Sequence, residues 1–119
     1  MKIKQMSPQL LVTDLERALD FYQANLGFII DFRYEDFYAG IINGDHTIHL
    51  KTGVPQPRTD AEDLDLFFTV ADIEGLYQTL RNRGVNISQA LRQMPYGREF
   101  YIADPDGYHL GFIEATNQD

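Results

Sequence analysis

Three side chains of the kinds that bind divalent metals stand in three separate apolar segments of the sequence. They are His49, Asp65 and His109. Two histidines and one carboxylate can hold a divalent ion such as iron, manganese or zinc when they converge. The sequence spacing does not require convergence, because each residue belongs to a different predicted strand. The alternative is that His49 is a hydrogen-bonded or solvent-facing strand residue and that no metal is bound.

Asp65 needs a partner if its strand is buried, because an unpaired carboxylate is costly away from water. It could accept a hydrogen bond from a cationic ligand. It could equally pair with Lys51, with Arg98 or with one of the histidines. Arg98 could bind an anionic substituent, although a surface arginine is the simpler interpretation.

Aromatic side chains could stack on a planar ligand, and ordinary core packing is the alternative for each of them. Those placed to do so are Tyr34, Phe37, Tyr38, Phe67 and Tyr101. The candidate ligand contacts taken together are Gln9, His49, Lys51, Asp65, Phe67, Arg98, Tyr101 and His109.

Other chemistries find no support in the residue types. The sequence contains no cysteine, which excludes disulfides, thiolate metal sites and a cysteine nucleophile. It has no glycine-rich phosphate loop and no Gly-x-Ser-x-Gly turn. Ser7 has no evident base partner, so a hydrolytic triad is not supported.

The charge balance limits the partners. Ten basic and 18 acidic residues give a net charge of −8, which repels nucleic-acid backbones and favours neutral or cationic partners, or simply keeps the protein in solution. Residues 1–6 lack the apolar core of a signal peptide, and no apolar run approaches the roughly 20 residues of a membrane span. We expect a cytoplasmic protein that binds neither nucleic acid nor membrane.

An internal repeat shows which elements position these residues. Residues 10–28 and 68–85 both begin with an apolar strand ending in Val-x-Asp, continue as a helical pattern and reach a glycine. In each helix, apolar residues recur with helical periodicity (Leu15, Ala18, Leu19 and Tyr22; Ile73, Leu76, Tyr77 and Leu80). Thr13 and Glu16 have capping-box spacing, Asp14 suits the start of the helix, and Gly27 and Gly84 suit the helix ends.

The full pattern predicts an α+β fold of two βαβββ modules, over about 1–52 and 63–115, joined by a linker over 53–62 in one domain of 119 residues. Turns are expected at Asn43-Gly44-Asp45 and Asp104-Pro105-Asp106-Gly107. Residues 94–98 contain Pro95 and Gly97, and a loop with such residues at the rim of a cavity can gate or dock ligands. Strands are predicted over 3–12, 28–34, 37–43, 46–52, 63–70, 86–92, 98–103 and 108–114, and helices over 14–25 and 72–83.

Alternation along the strands leaves one face of each sheet mixed in polarity. In residues 47–51, Ile48 and Leu50 point one way while Thr47, His49 and Lys51 point the other. Helices should cover the apolar faces. A curved sheet with a mixed inner face forms a cup, and cups bind small ligands.

Two segments carry a family resemblance, VTDLERALDFYQANLGF at 12–28 and FYIADPDGYHL at 100–110. The sequence resembles the glyoxalase, bleomycin resistance protein and extradiol dioxygenase (vicinal oxygen chelate) superfamily. The resemblance implies a curved mixed-sheet cup, often completed by a partner chain, so a homodimer is expected. It specifies function weakly, because this fold hosts many chemistries.

Metal-using members of that superfamily place ligands at four positions, which in this sequence are Ser7, His49, Asp65 and Gly111. Serine is a poor ligand and glycine offers no side chain. The resemblance therefore implies a small-molecule-binding protein without a metal cofactor, like the bleomycin resistance proteins. The alternatives are a metal-dependent lyase or dioxygenase using a shifted site at His49, Asp65 and His109, and a structural or regulatory module without a ligand.

Overall fold

The computed structural model describes residues 1–116. They form two compact units, residues 1–56 (unit 1) and the residues from Pro57 onward (unit 2). The boundary lies in the predicted linker, and residues 53–65 contain neither helix nor strand. All ten predicted elements are present, and each unit has the order βαβββ.

Unit 1 is a four-stranded mixed sheet with one helix, in the strand order β1-β4-β3-β2. The strands β1 and β4 are parallel, and the other neighbours are antiparallel. The elements are β1 (Gln9–Val12), α1 (Leu15–Leu26), β2 (Ile29–Tyr34), β3 (Tyr38–Asn43) and β4 (His46–Thr52).

Unit 2 repeats this arrangement with the strand order β5-β8-β7-β6. Here β5 and β8 are parallel, and the remaining pairs are antiparallel. The predicted internal repeat is confirmed as two copies of one topology. The elements are β5 (Leu66–Thr69), α2 (Ile73–Asn82), β6 (Ile87–Met94), β7 (Gly97–Ala103) and β8 (His109–Ala115).

The helix ends follow local chemistry. Asp14 is the N-cap of α1, and its side chain accepts a hydrogen bond from the Arg17 amide. The capping box expected at Thr13 is wrong, because the helix begins at Leu15 and its N-cap is therefore Asp14, one residue later. Gly27 ends α1 in the left-handed conformation at φ 70°, which glycine adopts without strain. Asp72 is the N-cap of α2. The first amide of that helix, at Ile73, donates a hydrogen bond to the Glu114 side chain at 2.8 Å.

Two predicted strands are shorter than expected. The first was predicted from residue 3 but begins at Gln9, because Pro8 has no N–H to donate and only its carbonyl reaches the His49 amide. The fifth begins at Leu66 instead of residue 63. Residues 60–63 form a turn there, closed by the Asp63 amide on the Asp60 carbonyl at 3.0 Å.

The loop expected over residues 94–98 is shorter than predicted. The strands β6 and β7 extend to Met94 and from Gly97, which pair with each other, so the connection is a tight hairpin turn at Pro95 and Tyr96. The two turns predicted from Asn-Gly-Asp and Asp-Pro-Asp-Gly are confirmed. In the second, Asp104 accepts hydrogen bonds from the amides of Asp106 and Tyr108, both at 2.9 Å.

Each helix covers one face of the sheet in its own unit. In unit 1 the predicted helix positions all become buried and pack with alternate strand residues. In unit 2 the ring of Tyr77 on α2 packs edge-on against Phe100 at 5.0 Å. The buried residues of unit 1 include Leu10, Val12, Leu15, Ala18, Leu19, Tyr22, Ala39, Ile41, Ile48 and Leu50. Among residues 1–116, no helix has the length and apolar character needed to cross a membrane.

Candidate ligand-binding site

The sheet face of unit 1 opposite α1 carries a hydrogen-bonded relay of three side chains, and we call this face the open face of unit 1. Gln9 Nε2 donates to the Tyr38 hydroxyl at 3.0 Å, and that hydroxyl lies 2.9 Å from His49 Nδ1. The three residues come from β1, β3 and β4. They meet because His49 is the register partner of both Gln9 and Gly40, two residues along β3 from Tyr38.

Aromatic rings surround this relay. The Phe32 ring lies 5.2 Å from the His49 ring, edge-on, and 6.1 Å from the Tyr38 ring, nearly parallel. Phe32 also lies over Gly40, where an added Cβ would stand 2.1 Å from a Phe32 ring carbon. The glycine therefore makes the space that this ring occupies.

The aromatic cluster continues to the edge of the sheet, where it is open to solvent. Tyr34 lies 5.7 Å from Phe32, and Phe37 stacks on Tyr34 at 6.5 Å. Tyr34 is 59% exposed and Phe37 52%. Lys51, a predicted ligand contact, is exposed on the same face beside Tyr38 in register. Ser7, at the start of this face, is hydrogen-bonded to Thr47.

The corresponding face of unit 2 carries different side chains. Phe67 is 53% exposed, and together with Leu64 it lies over Gly111. An added Cβ at Gly111 would stand 2.4 Å from Leu64 Cδ1 and 2.9 Å from Phe67 Cδ1. His109 is half-buried two residues earlier on β8. Tyr101 is buried and is the register partner of Gly111.

Asp65 binds backbone instead of the side chains predicted for it. Its Oδ2 accepts a hydrogen bond from the His109 amide at 2.8 Å, and its Oδ1 accepts one from the Arg58 amide at 3.2 Å. The carboxylate thereby ties the chain before β5 to the start of β8. The expected pairing with Lys51, Arg98 or an imidazole is not found.

Arg98 lies on the other face. It shares the helix-covered side of β7 with Phe100 and forms an ion pair with Glu74 of α2 at 2.8 Å. That hydrogen bond lowers the pKa of the Glu74 carboxyl below its ordinary value. Within unit 2, Arg98 thus lies on the opposite side of β7 from Tyr101, as the simpler interpretation of a surface arginine expected.

A buried carboxylate that the predicted contacts omitted lies at the centre of the unit 2 face. Glu99 is fully buried. Its Oε2 accepts hydrogen bonds from Arg92 Nε at 2.9 Å, Arg92 Nη2 at 2.7 Å and the Tyr101 hydroxyl at 3.0 Å. Its Oε1 accepts one from the Tyr96 hydroxyl at 2.9 Å.

Burial by itself would raise the pKa of the Glu99 carboxyl, but the hydrogen bonds from Arg92, Tyr96 and Tyr101 outweigh it and lower that pKa. The same carboxylate raises the pKa of Tyr96. For Tyr101, burial is the largest cause of a raised pKa, followed by Glu99. The cluster therefore holds an ionised carboxylate against a guanidinium and two neutral phenols.

Sequence signals for the residues that were missed do exist. A glutamate next to the apolar run Phe100-Tyr101-Ile102 is unusual, and alternation puts Glu99 on the face of Tyr101. Arg92 lies across the hairpin from Glu99 as its register partner. Phe32 was missed because its position over Gly40 depends on the register of β2 with β3.

Comparison with known proteins identifies the family. The model of the Glyoxalase/Bleomycin resistance protein/Dioxygenase superfamily matches residues 2–112. The chain belongs to this superfamily. The resemblance noted in the sequence and the α+β fold predicted from it are both confirmed.

Individual superfamily relatives are distant in sequence and close in fold. An uncharacterized protein of Mycobacterium bovis is 26% identical, covering 95% of this chain and 84% of that protein. A superfamily member from Sphaerobacter thermophilus is 26% identical with a TM-score of 0.79, over 96% of this chain and 98% of that chain. TnmS3, an antibiotic binding protein from Streptomyces sp. CB03234, is 23% identical with a TM-score of 0.78, over 98% and 99%.

The four positions at which metal-using superfamily members carry ligands do not suit a divalent ion in this chain. Ser7 is bonded to Thr47, and both oxygens of Asp65 accept backbone hydrogen bonds. Gly111 has no donor and lies under two apolar side chains. His49 is the one strong donor of the four. Across residues 1–116, no group of three or more histidine or acidic side chains is arranged to hold a metal ion.

Proposed function

We propose that this superfamily member binds a small planar molecule on the open face of unit 1 and holds it without chemical change, as a bleomycin-resistance-like sequestering protein. One observation carries the proposal: the rings of Phe32, Tyr34 and Phe37 continue from a polar relay at His49 to solvent. Rings that are half exposed in the free protein offer area to a ligand that stacks on them.

The proposed ligand is neutral or cationic. The chain carries a net charge of −8, which disfavours an anion at long range. TnmS3 shows that the fold can serve antibiotic binding in another protein. The present proposal depends on the residues of this chain and not on that likeness.

The proposal is metal-free. The support is the donor chemistry already described: a serine bonded to a threonine, a carboxylate occupied by two amides and a glycine under apolar side chains. Zinc, iron or manganese added to the purified protein should leave ligand affinity unchanged. A metal requirement for binding would contradict this part of the proposal.

The binding test uses 2-aminofluorene, a neutral planar probe, followed by calorimetry with the purified protein. We expect saturable binding that weakens about tenfold in a Tyr34→Ala/Phe37→Ala variant, because two stacking surfaces are lost. Val54→Ala is the control, since Val54 is also exposed but lies outside the face. Mass spectrometry should recover the probe unaltered; conversion to a product, or equal affinity in the double variant, would refute the proposal.

We also propose a cytoplasmic homodimer, with the edge strand β2 in the subunit contact. In the sheet order β2 is outermost, and Ile29 and Ile30 on it are 65% and 39% exposed. An exposed apolar edge strand favours pairing with another chain. Light scattering should give a dimer that an Ile29→Lys/Ile30→Lys variant converts to monomer while Val54→Lys does not.

A further inference from the structure

Three contacts hold the imidazole of His49 on the open face of unit 1. The Phe32 ring meets it edge-on at 5.2 Å, the Tyr38 ring meets it edge-on at 5.6 Å, and the Tyr38 hydroxyl binds its Nδ1 at 2.9 Å. The residue is half-buried. A side chain fixed in this way presents its remaining nitrogen in one direction.

The relay also favours one proton position. Gln9 Nε2 donates to the Tyr38 oxygen, so the single hydroxyl hydrogen of Tyr38 is available for His49 Nδ1. An imidazole nitrogen that accepts a hydrogen bond carries no proton, which puts the ring hydrogen of the neutral histidine on Nε2. Within residues 1–116, Nδ1 is the one His49 side-chain atom with a hydrogen-bond partner.

We propose that His49 Nε2–H is a preset hydrogen-bond donor for the ligand, and that the ligand class is a planar ring system bearing a carbonyl oxygen beside its stacked face. This inference rests on the proposed function and specifies the ligand of the same site. A carbonyl is neutral, in keeping with the charge of the chain, and accepts a hydrogen bond in the plane of its ring.

The surroundings favour a donor over a metal ligand. The polar side chains that strand register places near His49 on this face are Gln9, Tyr38, Thr47 and Lys51, and none is a carboxylate. A histidine that binds a divalent ion needs further anionic or neutral donors converging with it. A histidine that donates one hydrogen bond needs only the partner that fixes its tautomer, which Tyr38 supplies.

A matched pair of probes tests the ligand class. The compounds 2-amino-9-fluorenone and 2-aminofluorene share a flat tricyclic frame and differ in one carbonyl oxygen. The protein should bind the fluorenone about tenfold more tightly, the value of one hydrogen bond of roughly 1.4 kcal/mol. Tyr38→Phe should reduce that preference to below about threefold, because it removes the hydroxyl that holds the ring hydrogen of His49 on Nε2. Ser7→Ala is the control, since Ser7 lies on the same face outside the relay.

The outcomes separate the two proposals. If neither probe binds, the proposed function fails and the inference fails with it. If both bind with equal affinity, the planar site stands and the donor role of His49 is overturned. A preference that persists undiminished in Tyr38→Phe would overturn the relay.

The tautomer can be measured in the wild-type protein without any ligand. Two-bond proton–nitrogen correlation spectra distinguish a histidine protonated on Nε2 from one protonated on Nδ1. The His49 signals, assigned by their loss in His49→Gln, should show the proton on Nε2 at neutral pH. A proton on Nδ1 would overturn the relay direction and the preset donor with it.

Discussion

Arg92 Nη2 lies 2.7 Å from Oε2 of Glu99, whose side chain is 1% exposed. The Arg92 side chain is 30% exposed, so the pair joins the core of unit 2 to its surface. Tyr96 and Tyr101 donate to the same carboxylate, from the hairpin turn and from β7. Four hydrogen bonds to the Glu99 carboxylate thus connect β6, the hairpin turn and β7. We therefore expect Glu99 to contribute strongly to the stability of the fold.

The first prediction is that Glu99→Gln destabilises the protein by about 1–3 kcal/mol, because the Arg92 guanidinium loses its charge partner and one buried oxygen acceptor becomes a donor. Urea unfolding followed by circular dichroism measures it. The control is Glu74→Gln, which removes an exposed ion pair with Arg98 and should leave stability nearly unchanged. Equal small effects in both variants would contradict the structural role of Glu99.

The second prediction concerns pH. The folded state lowers the pKa of Glu99 below its unfolded value of about 4.3. The ionised carboxylate therefore stabilises the fold above that unfolded value, and the stabilisation is lost as the pH falls through the folded pKa. The free-energy difference between wild type and Glu99→Gln should be largest near neutral pH and shrink in acid. A constant difference from pH 7 to pH 3 would show that the charge is not the cause.

The helices and strands were predicted well because the patterns that specify them involve residues that are neighbours in the sequence. The helical spacing of Leu15 and Leu19, the N-cap at Asp14 and the glycine at residue 27 all act within one helix. The start of β1 was misplaced because it depends on pairing with the distant strand β4, and that pairing starts only at Gln9, opposite His49. The partners of Asp65 were missed for a related reason. They are backbone amides, which residue types do not reveal.

The relay of the candidate site shows the same limit. Gln9 and His49 could be named as contacts from strand alternation alone. Their link through Tyr38 requires the register of three strands, which the sequence does not specify. The Arg92–Glu99 pair could have been predicted from the sequence, since the two residues flank a tight hairpin turn and alternate with apolar positions.

The third prediction reassigns Asp65 from ligand contact to structural acceptor. Asp65→Ala leaves the amides of Arg58 and His109 without their acceptor, which should cost about 1–3 kcal/mol of stability. Asp65→Asn keeps one oxygen acceptor and should cost less. Asp63→Ala, at an exposed neighbouring position, is the control. Unaltered stability in Asp65→Ala together with weaker probe binding would restore the ligand role.

The fourth prediction concerns the ring seated on Gly40. In Gly40→Ala the new Cβ would stand 2.1 Å from Phe32 Cε2, so the ring must move from its place beside His49. We expect a loss of about 1–3 kcal/mol in stability and weaker binding of 2-aminofluorene. Gly53→Ala is the matched control, because its Cβ would meet Leu11 no closer than 3.4 Å. Similar behaviour of the two variants would mean that the Phe32 position is not tied to Gly40.

The fifth prediction is that Gly111→Glu does not create a metal site. The family position is covered by Leu64 and Phe67, whose side-chain carbons would lie 2.4 Å and 2.9 Å from the new Cβ. Both side chains must be displaced before a carboxylate can fit, so the variant should lose stability by about 1–3 kcal/mol.

Even a displaced arrangement leaves the new carboxylate short of co-ligands, because Asp65 binds two amides and Ser7 binds Thr47. A divalent ion needs three or four converging donors, and a single restored one does not supply them. Calorimetric titration with zinc and with manganese should therefore detect no binding to Gly111→Glu beyond that of wild type. One equivalent of tightly bound metal in the variant would mean that the ligand positions are more adaptable than their present contacts indicate, and the metal-free proposal would fail with it.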